Sequence, residues 1–96
     1  MGKKGYWMVM LDVTDADGYQ RYREAIGSAI VDHGGRYLVR GGQVTDPEGH
    51  TFGRQVIVEF DSYQAALDCY NSPAYQAAHE HRLASSKGHF AIVEGA

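Results

Sequence analysis

Two histidines, His79 and His81, flank Glu80 in a stretch predicted to be helical, and this grouping suggests a metal site. Metal ligands on a helix share a face when they are three or four residues apart, whereas these histidines are two apart. The helical zinc-protease motif would need its second histidine at the position of Leu83. Because a tetrahedral site needs convergent ligands, we expect no metal here. His79 is expected to border the core and His81 to lie in solvent.

Tyr75, His79 and Arg82 recur at spacings of four and three residues and therefore share one face of the predicted helix. The plainer interpretation is an aromatic core whose phenols reach polar partners. The alternative is a cleft between sheet and helices that orients a small apolar or aromatic ligand, with His79 moving protons as a catalytic residue. The ligand-binding side chains of that cleft would be Trp7, Tyr19, Tyr22, Tyr70, Tyr75 and Arg82.

Glu59 is a carboxylate inside a predicted strand, where a charge removed from water needs a partner. The second and third strands are expected to be antiparallel neighbours, which places Arg36 opposite Glu59 and Arg40 opposite Gln55. Taking the first and third strands as parallel adds Asp12 to the same end as Glu59. The expected cluster is an ion-pair network that fixes the register of a dimer. The alternative is that Arg36 binds a ligand carboxylate, or that Glu59 is catalytic and transfers a proton.

The remaining candidate motifs do not indicate a reactive or cofactor-binding site. Cys69 lies in the middle of a predicted helix without an evident base, so it is expected to pack as a small hydrophobic residue. The Gly41-Gly42 pair is a turn signal, and no phosphate loop or dinucleotide fingerprint is present. We therefore expect no cofactor.

Charge and composition narrow the functional classes. Lys and Arg total 9 against 12 Asp and Glu, for a net charge of −3. The basic residues form no cluster, which argues against nucleic acid as a partner. No apolar run reaches membrane-spanning length, and the short run after Lys4 predicts a first strand rather than a signal peptide because it contains Asp12. With one cysteine in 96 residues, we expect a single domain, 1–96, in the cytoplasm.

The pattern of apolar and capping residues predicts the order β-α-β-β-α-(α)-β. The predicted strands are 6–13, 36–40, 54–60 and 89–94, and the helices begin after Thr14, after Asp61 or Ser62, and after Ser72. Gly34 and Gly35 end the first helix, and residues 41–53 form a long loop with its turn at 46–49. This order indicates an α+β, ferredoxin-like fold with strand order 4-1-3-2 and helices on one face of the sheet.

Alternation along the strands assigns side chains to the two faces of the sheet. The helix-covered face is expected to carry Trp7, Val9, Leu11, Tyr37, Val39, Val56, Val58 and Phe60. The other face is expected to carry Tyr6, Met8, Met10, Asp12, Arg36, Leu38, Arg40, Gln55, Ile57 and Glu59. The second set is too apolar for bare water, which favours a homodimer that packs sheet against sheet.

Several blocks of the sequence together resemble one known family. They are Gly5–Trp7, Asp12–Asp15, Gly34–Gly42, Val58–Phe60, Cys69–Ala78 and Ile92–Gly95. The resemblance is to domain-of-unknown-function family 1330, in the dimeric α+β barrel superfamily, and it covers nearly the whole chain. It implies a ferredoxin-like protomer in a sheet-to-sheet homodimer. Asp61 departs from the family, which usually has proline before the capping Ser62.

The resemblance implies no single reaction. Superfamily relatives that are cofactor-independent monooxygenases, lactone isomerases or haem enzymes use a cleft between sheet and helices, which is an analogy of fold. By this analogy, the resemblance implies a protein that binds or transforms a small aromatic or lactone-like molecule. The alternative is a non-catalytic ligand-binding or structural dimer, and whether the protein is an enzyme stays open. Haem binding would need an axial ligand, for which His79 is the candidate.

Overall fold

Seven elements follow one another in the order β-α-β-β-α-α-β in the computed structural model, which describes residues 2–49 and 51–96. The strands are β1 (Gly5–Val13), β2 (Arg36–Arg40), β3 (Arg54–Phe60) and β4 (Ser86–Glu94), and the helices are α1 (Ala16–Asp32), α2 (Tyr63–Asn71) and α3 (Pro73–Ser85). The predicted order is confirmed. β4 begins three residues earlier than expected, at Ser86 instead of His89.

The four strands form one sheet in the order β2-β3-β1-β4, which is the predicted order read from the opposite edge. Every neighbouring pair is antiparallel, so the ferredoxin-like α+β fold is confirmed. The expectation that β1 and β3 run parallel is wrong. Tyr6 lies opposite Glu59, and Asp12 lies at the other end of β1, where its Oδ1 accepts a hydrogen bond of 2.9 Å from the backbone N–H of Gly53.

The register of β2 against β3 shifts by one residue between Tyr37 and Val39. An extra residue in one strand moves every following side chain to the other face of the sheet. Arg40 therefore lies opposite Val56, not opposite Gln55 as predicted, and it points to the helix-covered face. Val39 lies opposite Ile57 and therefore points away from the helices, although it was predicted on the helix-covered face. Both face assignments are corrected by this one irregularity.

Side-chain caps fix where the helices begin. Ser72 accepts a hydrogen bond from the backbone of Tyr75, as predicted, and of the two predicted alternatives Asp61 and Ser62 it is Ser62 that caps α2, by accepting a hydrogen bond from the backbone of Ala65. The first helix is capped by Asp15, however, and not by Thr14. The two residues are adjacent and both are good caps, so the sequence pattern does not separate them.

The core lies between the sheet and the helices. Its fully buried large side chains include Trp7, Leu11, Ile30, Phe60 and Tyr75. On α2 the buried residues are Ala66 and Cys69, whereas Tyr63 is 38% exposed. The opposite face of the sheet, called here the open face, carries exposed apolar side chains, among them Met8, Leu38 and Val93. In the two described ranges, no helix is long and apolar enough to cross a membrane.

Candidate functional site

A cleft, called here the α1 cleft, opens between α1 and the strands β1, β3 and β2. Its enclosed volume is about 20 Å³, and the space including its open mouth is about 390 Å³. The enclosed part holds about one water molecule, so a larger ligand has to occupy the mouth. Its apolar and aromatic lining consists of Trp7, Val9, Tyr19, Tyr22, Ile26, Ile30, Tyr37, Val56 and Val58.

Three of the predicted ligand-binding residues, Trp7, Tyr19 and Tyr22, meet in this lining. Trp7 is held by the hydrogen bond from its Nε1 to the carbonyl oxygen of Ala66, at 3.0 Å. Tyr19 and Tyr22 are three residues apart on α1 and therefore share its inner face. The Tyr22 hydroxyl lies 3.1 Å from the Tyr75 hydroxyl, and burial followed by the neighbouring Tyr75 raises the pKa of Tyr22 well above its usual value. The floor of the cleft is therefore aromatic and uncharged.

Three arginines, Arg23, Arg40 and Arg54, complete the lining of the cleft. Arg23 and Arg40 are exposed and Arg54 is half-buried, so the charges lie toward the mouth. Within residues 2–49 and 51–96, none of the three takes part in an ion pair, and no carboxylate lines the cleft. The site therefore combines an aromatic floor with an uncompensated positive rim.

Aromatic rings hold two of these guanidinium groups in place. The Arg54 Nε donates a hydrogen bond of 3.1 Å to the Tyr19 hydroxyl, and its Cζ lies 5.3 Å from the centre of the Tyr19 ring. The Arg40 Cζ lies 4.3 Å from the centre of the Tyr37 ring. Both distances are within the range of a cation–π interaction. Burial raises the pKa of Tyr37 while Arg40, Arg23 and Arg54 each lower it, so all three charges act on one phenol.

The sequence contained a partial signal for this rim, which the interpretation missed. Arg23 is four residues after Tyr19 and so lies on the same face of α1. Arg54 is two residues before Val56 and so points to the same face of β3. Arg40 reaches the cleft only because of the register shift in β2, and the residue pattern does not indicate that shift.

A second group of side chains, on α2, α3 and β4, lies behind the floor of the cleft. Tyr70 packs against Tyr75 and Phe90, with ring centres 4.9 and 5.1 Å apart, and the His79 ring lies 6.0 Å from both tyrosines. Arg82 is 7% exposed, and its Cζ lies 5.2 Å from the centre of the Phe90 ring. The predicted face of Tyr75, His79 and Arg82 thus comes together, although none of the three lines the α1 cleft.

The environment of this second group favours neutral His79. Burial, and then the nearby positive charge of Arg82, lower the pKa of His79. The Arg82 Nε is buried and has no hydrogen-bond partner among the described residues. The group connects to the cleft through the Tyr22–Tyr75 hydroxyl contact. A catalytic role for His79 stays a prediction, and it would have to act through those phenols or through a rearranged floor.

Arg36 and Glu59 lie on the open face of the sheet, remote from the cleft lining. The Arg36 Nε and Nη2 each lie 2.8 Å from the Glu59 Oε1, and the Tyr6 hydroxyl donates to Oε2 at 2.8 Å. Arg36 also pairs with Asp61 at 3.3 Å. The predicted Arg36–Glu59 contact is confirmed, but Tyr6 and Asp61 complete the cluster in place of Asp12, because β1 runs antiparallel to β3.

The hydrogen bond from Tyr6, together with Arg36, lowers the pKa of Glu59. A general base works best when its pKa is near the operating pH. Glu59 is therefore better suited to an ion pair than to proton transfer. Two protein carboxylates already contact Arg36 where a ligand carboxylate would have to bind. Binding of a ligand carboxylate by Arg36 and proton transfer by Glu59 both stay predictions.

Neither cysteine nor metal chemistry gains support from the geometry. The Cys69 thiol is buried, its Sγ lies 3.4 Å from the carbonyl oxygen of Ala29, and burial raises its pKa to about 12. Such a thiol is unreactive at neutral pH. Among the residues that the structure describes, no three His, Cys, Asp or Glu side chains are grouped so that they could hold a metal ion.

The family model described as Domain of unknown function (DUF1330) matches residues 4–96. No curated protein matches the chain. A protein of unknown function from Rhodopseudomonas palustris superposes with a TM-score of 0.78 at 17% identity, over 100% of this chain and 85% of that one. A dimeric ferredoxin-like protein of unknown function from Bacteroides fragilis gives 0.64 at 17% identity, over 95% of each chain.

A cofactor-independent oxygenase, SnoaB from Streptomyces nogalater, superposes with a TM-score of 0.60 at 8% identity, over 95% of this chain and 91% of that one. At these identities the likeness to the solved structures shows the fold alone.

Proposed function

Since the chain belongs to the DUF1330 family, whose description gives no activity, we propose a function from its own site: it is a homodimer that binds a small aromatic molecule in the α1 cleft. The observation that carries the proposal is the cleft floor. Trp7, Tyr19 and Tyr22 form the aromatic floor of an opening beside α1, and the space including its open mouth is about 390 Å³. Ligand sites are typically concave, mostly apolar, and supplied with a few convergent polar groups.

Binding has more support than proton transfer. Among residues 2–49 and 51–96, no carboxylate or histidine lines the cleft, and the predicted base, His79, lies behind Tyr75. Binding without catalysis therefore needs no change in the site, whereas an acid–base reaction needs a route through the phenols.

The catalytic version of the proposal is an oxygenase or isomerase that acts on an aromatic or lactone-like substrate without a cofactor. Its support is the fold of the neighbour described as a cofactor-independent oxygenase and the lowered pKa of His79, which keeps its imidazole neutral and able to accept a proton. Loss of turnover in His79→Ala on an identified substrate would support this version, and unchanged turnover would reject it.

The dimer part of the proposal rests on the open face of the sheet. Met8, Leu38 and Val93 expose 37%, 54% and 43% of their surface in the isolated chain. The Arg36–Glu59 pair on the same face already balances its own charge. Exposed apolar surface rimmed by paired charges is typical of an interface. The similar fold from Bacteroides fragilis is described as dimeric, which supports a dimer of this chain.

The single tryptophan of the chain makes the cleft testable. In a ¹H–¹⁵N correlation spectrum, the indole N–H of Trp7 is one signal at the floor of the site. We expect that signal and the Tyr22 amide to shift when benzamide or benzoate, two single-ring probes of similar shape, is titrated in. Resonances from the open face are expected to stay in place.

A pair of variants on α1 separates binding in the cleft from binding elsewhere. Ile26 lines the cleft, so Ile26→Phe fills it and should weaken binding at least about tenfold, which is about 1.4 kcal/mol. Val31, on the same helix, is 72% exposed, so Val31→Phe adds similar bulk outside the site and should bind as the parent does. If neither probe shifts the Trp7 signal, or if Ile26→Phe binds normally, the proposed function is wrong.

A further inference from the structure

We propose that the natural ligand of the α1 cleft is an aromatic anion, and that Arg23, Arg40 and Arg54 bind its carboxylate or an equivalent negative group. This inference rests on the proposed function, because it names the chemical class of the same ligand. It assigns to these three arginines the task of orienting the ligand and of selecting charged molecules over neutral ones of equal shape.

The first support is the distribution of charge. The chain has a net charge of −3, and only 9 of its residues are Lys or Arg. Three of those 9 nevertheless line one small cleft, and in the described part of the chain no Asp or Glu lines it with them. Like charges placed together repel one another and raise the local attraction for a counter-charge. By contrast, Arg36 on the open face is paired with two carboxylates. The arginines of the cleft and the arginine of the open face therefore differ in how their charge is balanced.

The second support is that the guanidinium groups are already held in place. Arg54 is fixed by the Tyr19 hydroxyl, and Arg40 is stacked on Tyr37. Arg54 also packs on Gly41, which has φ of 69° and where any side chain would collide with the guanidinium. An arginine held by a ring and a hydroxyl loses less freedom when it binds a ligand. The site is thus prepared for the forked hydrogen bonds that guanidinium makes with carboxylate, sulfonate or phosphate.

The third support is the shape of the cleft. Its enclosed volume of about 20 Å³ is far below the roughly 150 Å³ of an apolar cavity that admits benzene. An aromatic ring therefore lies in the mouth, beside the partly buried Tyr37, which brings its substituent to the arginines. The phenol of Tyr37 already lies in the combined field of all three arginines. A ligand that carries a negative charge about one ring away from its apolar end matches both parts of the site.

The test compares benzoate with benzamide, which have nearly the same shape but differ in charge at neutral pH. Charged hydrogen bonds of this kind usually favour the anion by about tenfold to a hundredfold. We expect the parent protein to bind benzoate that much more tightly at low salt, with Trp7 and Tyr22 signals reporting both titrations. Added sulfate should compete with benzoate at the arginines, and it should leave benzamide binding unchanged.

Variants on the rim and one matched control locate the effect. The double variant Arg40→Gln with Arg54→Gln should lose most of its preference for benzoate over benzamide, because only Arg23 of the three arginines remains. Arg23 is exposed, so Arg23→Gln provides a variant that does not disturb the core and should lose part of the preference. Arg21→Gln removes the same charge from an exposed position of the same helix that does not line the cleft, and it should keep the preference.

The outcomes separate this inference from the function it rests on. Equal binding of benzamide and benzoate in the cleft would overturn the anion inference and leave the proposed function standing. A preference that survives undiminished in the double variant, or that falls equally in Arg21→Gln, would also overturn it, because the charge would then act from elsewhere. If neither probe enters the cleft, the proposed function and the inference both fail.

Discussion

The contact between the Tyr22 and Tyr75 hydroxyls should contribute measurably to stability, because it joins two almost completely buried phenols 3.1 Å apart. A hydrogen bond contributes about 0.5–1.5 kcal/mol net to folding, whereas a buried hydroxyl left without a partner costs about 1–3 kcal/mol. Each single change, Tyr22→Phe or Tyr75→Phe, keeps the ring and leaves the other hydroxyl without that partner. We therefore expect each to lower the free energy of unfolding by about 1–3 kcal/mol.

A double-mutant cycle isolates the contact itself. In the double variant both hydroxyls are gone and neither is left without a partner. Its loss of unfolding free energy should therefore be smaller than the sum of the two single losses by about 0.5–1.5 kcal/mol. Urea denaturation followed by circular dichroism gives the four free energies, at one fixed protein concentration because a dimer's stability depends on it. Tyr63→Phe, at a 38% exposed tyrosine, is the control and should change stability by less than about 0.5 kcal/mol. Additive single losses, within about 0.3 kcal/mol, would refute the contact.

Alkaline pH provides a second measurement of the same residue. Burial raises the pKa of Tyr22 in the folded protein far above that of an unfolded tyrosine, which is near 10. Below pH 10 the phenol is neutral in both states and the stability is fully present. As the pH rises above about 10, only the unfolded state ionises, so stability is lost. Tyr22→Phe should lose less stability over that alkaline range than the parent protein does.

Three further predictions concern the rest of the molecule. Ile57→Lys puts a charge near the middle of the open face, opposite Met8, and should convert the dimer to a monomer in light scattering; a dimer that persists would place the interface elsewhere. Burial lowers the pKa of His79 in the folded protein, so stability should be lost as the pH falls below about 6.5 toward that lower pKa. His79→Gln should reduce this loss of stability at acid pH. An imidazole that titrates near 6.5 by NMR would contradict the reasoning. The Cys69 thiol should resist a disulfide reagent in the native protein and react only after unfolding, and rapid native labelling would show that its raised pKa and burial are wrong.

The elements of the fold were predictable because their signals are local. Ser62 and the Ser72-Pro73 pair mark helix starts through hydrogen bonds within three residues, and Gly34 adopts the positive φ of 72° that ends α1. The strand order also followed, since few topologies connect these elements without crossing. Where two adjacent residues were equally able to cap, as at Thr14 and Asp15, the local signal did not choose between them.

The errors came from properties that no local pattern contains. The direction of β1 against β3 depends on how the whole chain winds, and taking it as parallel brought Asp12 to the wrong end. The register shift in β2 is a non-local packing outcome, and it put Arg40 and Val39 on the wrong faces. Trp7, Tyr19 and Tyr22 were correctly grouped because aromatic side chains on inner faces have to meet in a small core.

The register shift in β2 explains how one short strand can serve two faces with opposite electrostatic needs. Strict alternation would have placed both of its arginines, Arg36 and Arg40, on the open face. Arg36 is there, neutralised by Glu59 and Asp61. A second arginine without a carboxylate would leave an unpaired charge in the proposed sheet-to-sheet interface, at a cost of several kcal/mol. The extra residue turns Arg40 to the helix side, where it joins Arg23 and Arg54. The open face keeps a balanced charge suited to a partner sheet, and the excess positive charge is collected where a ligand anion can neutralise it.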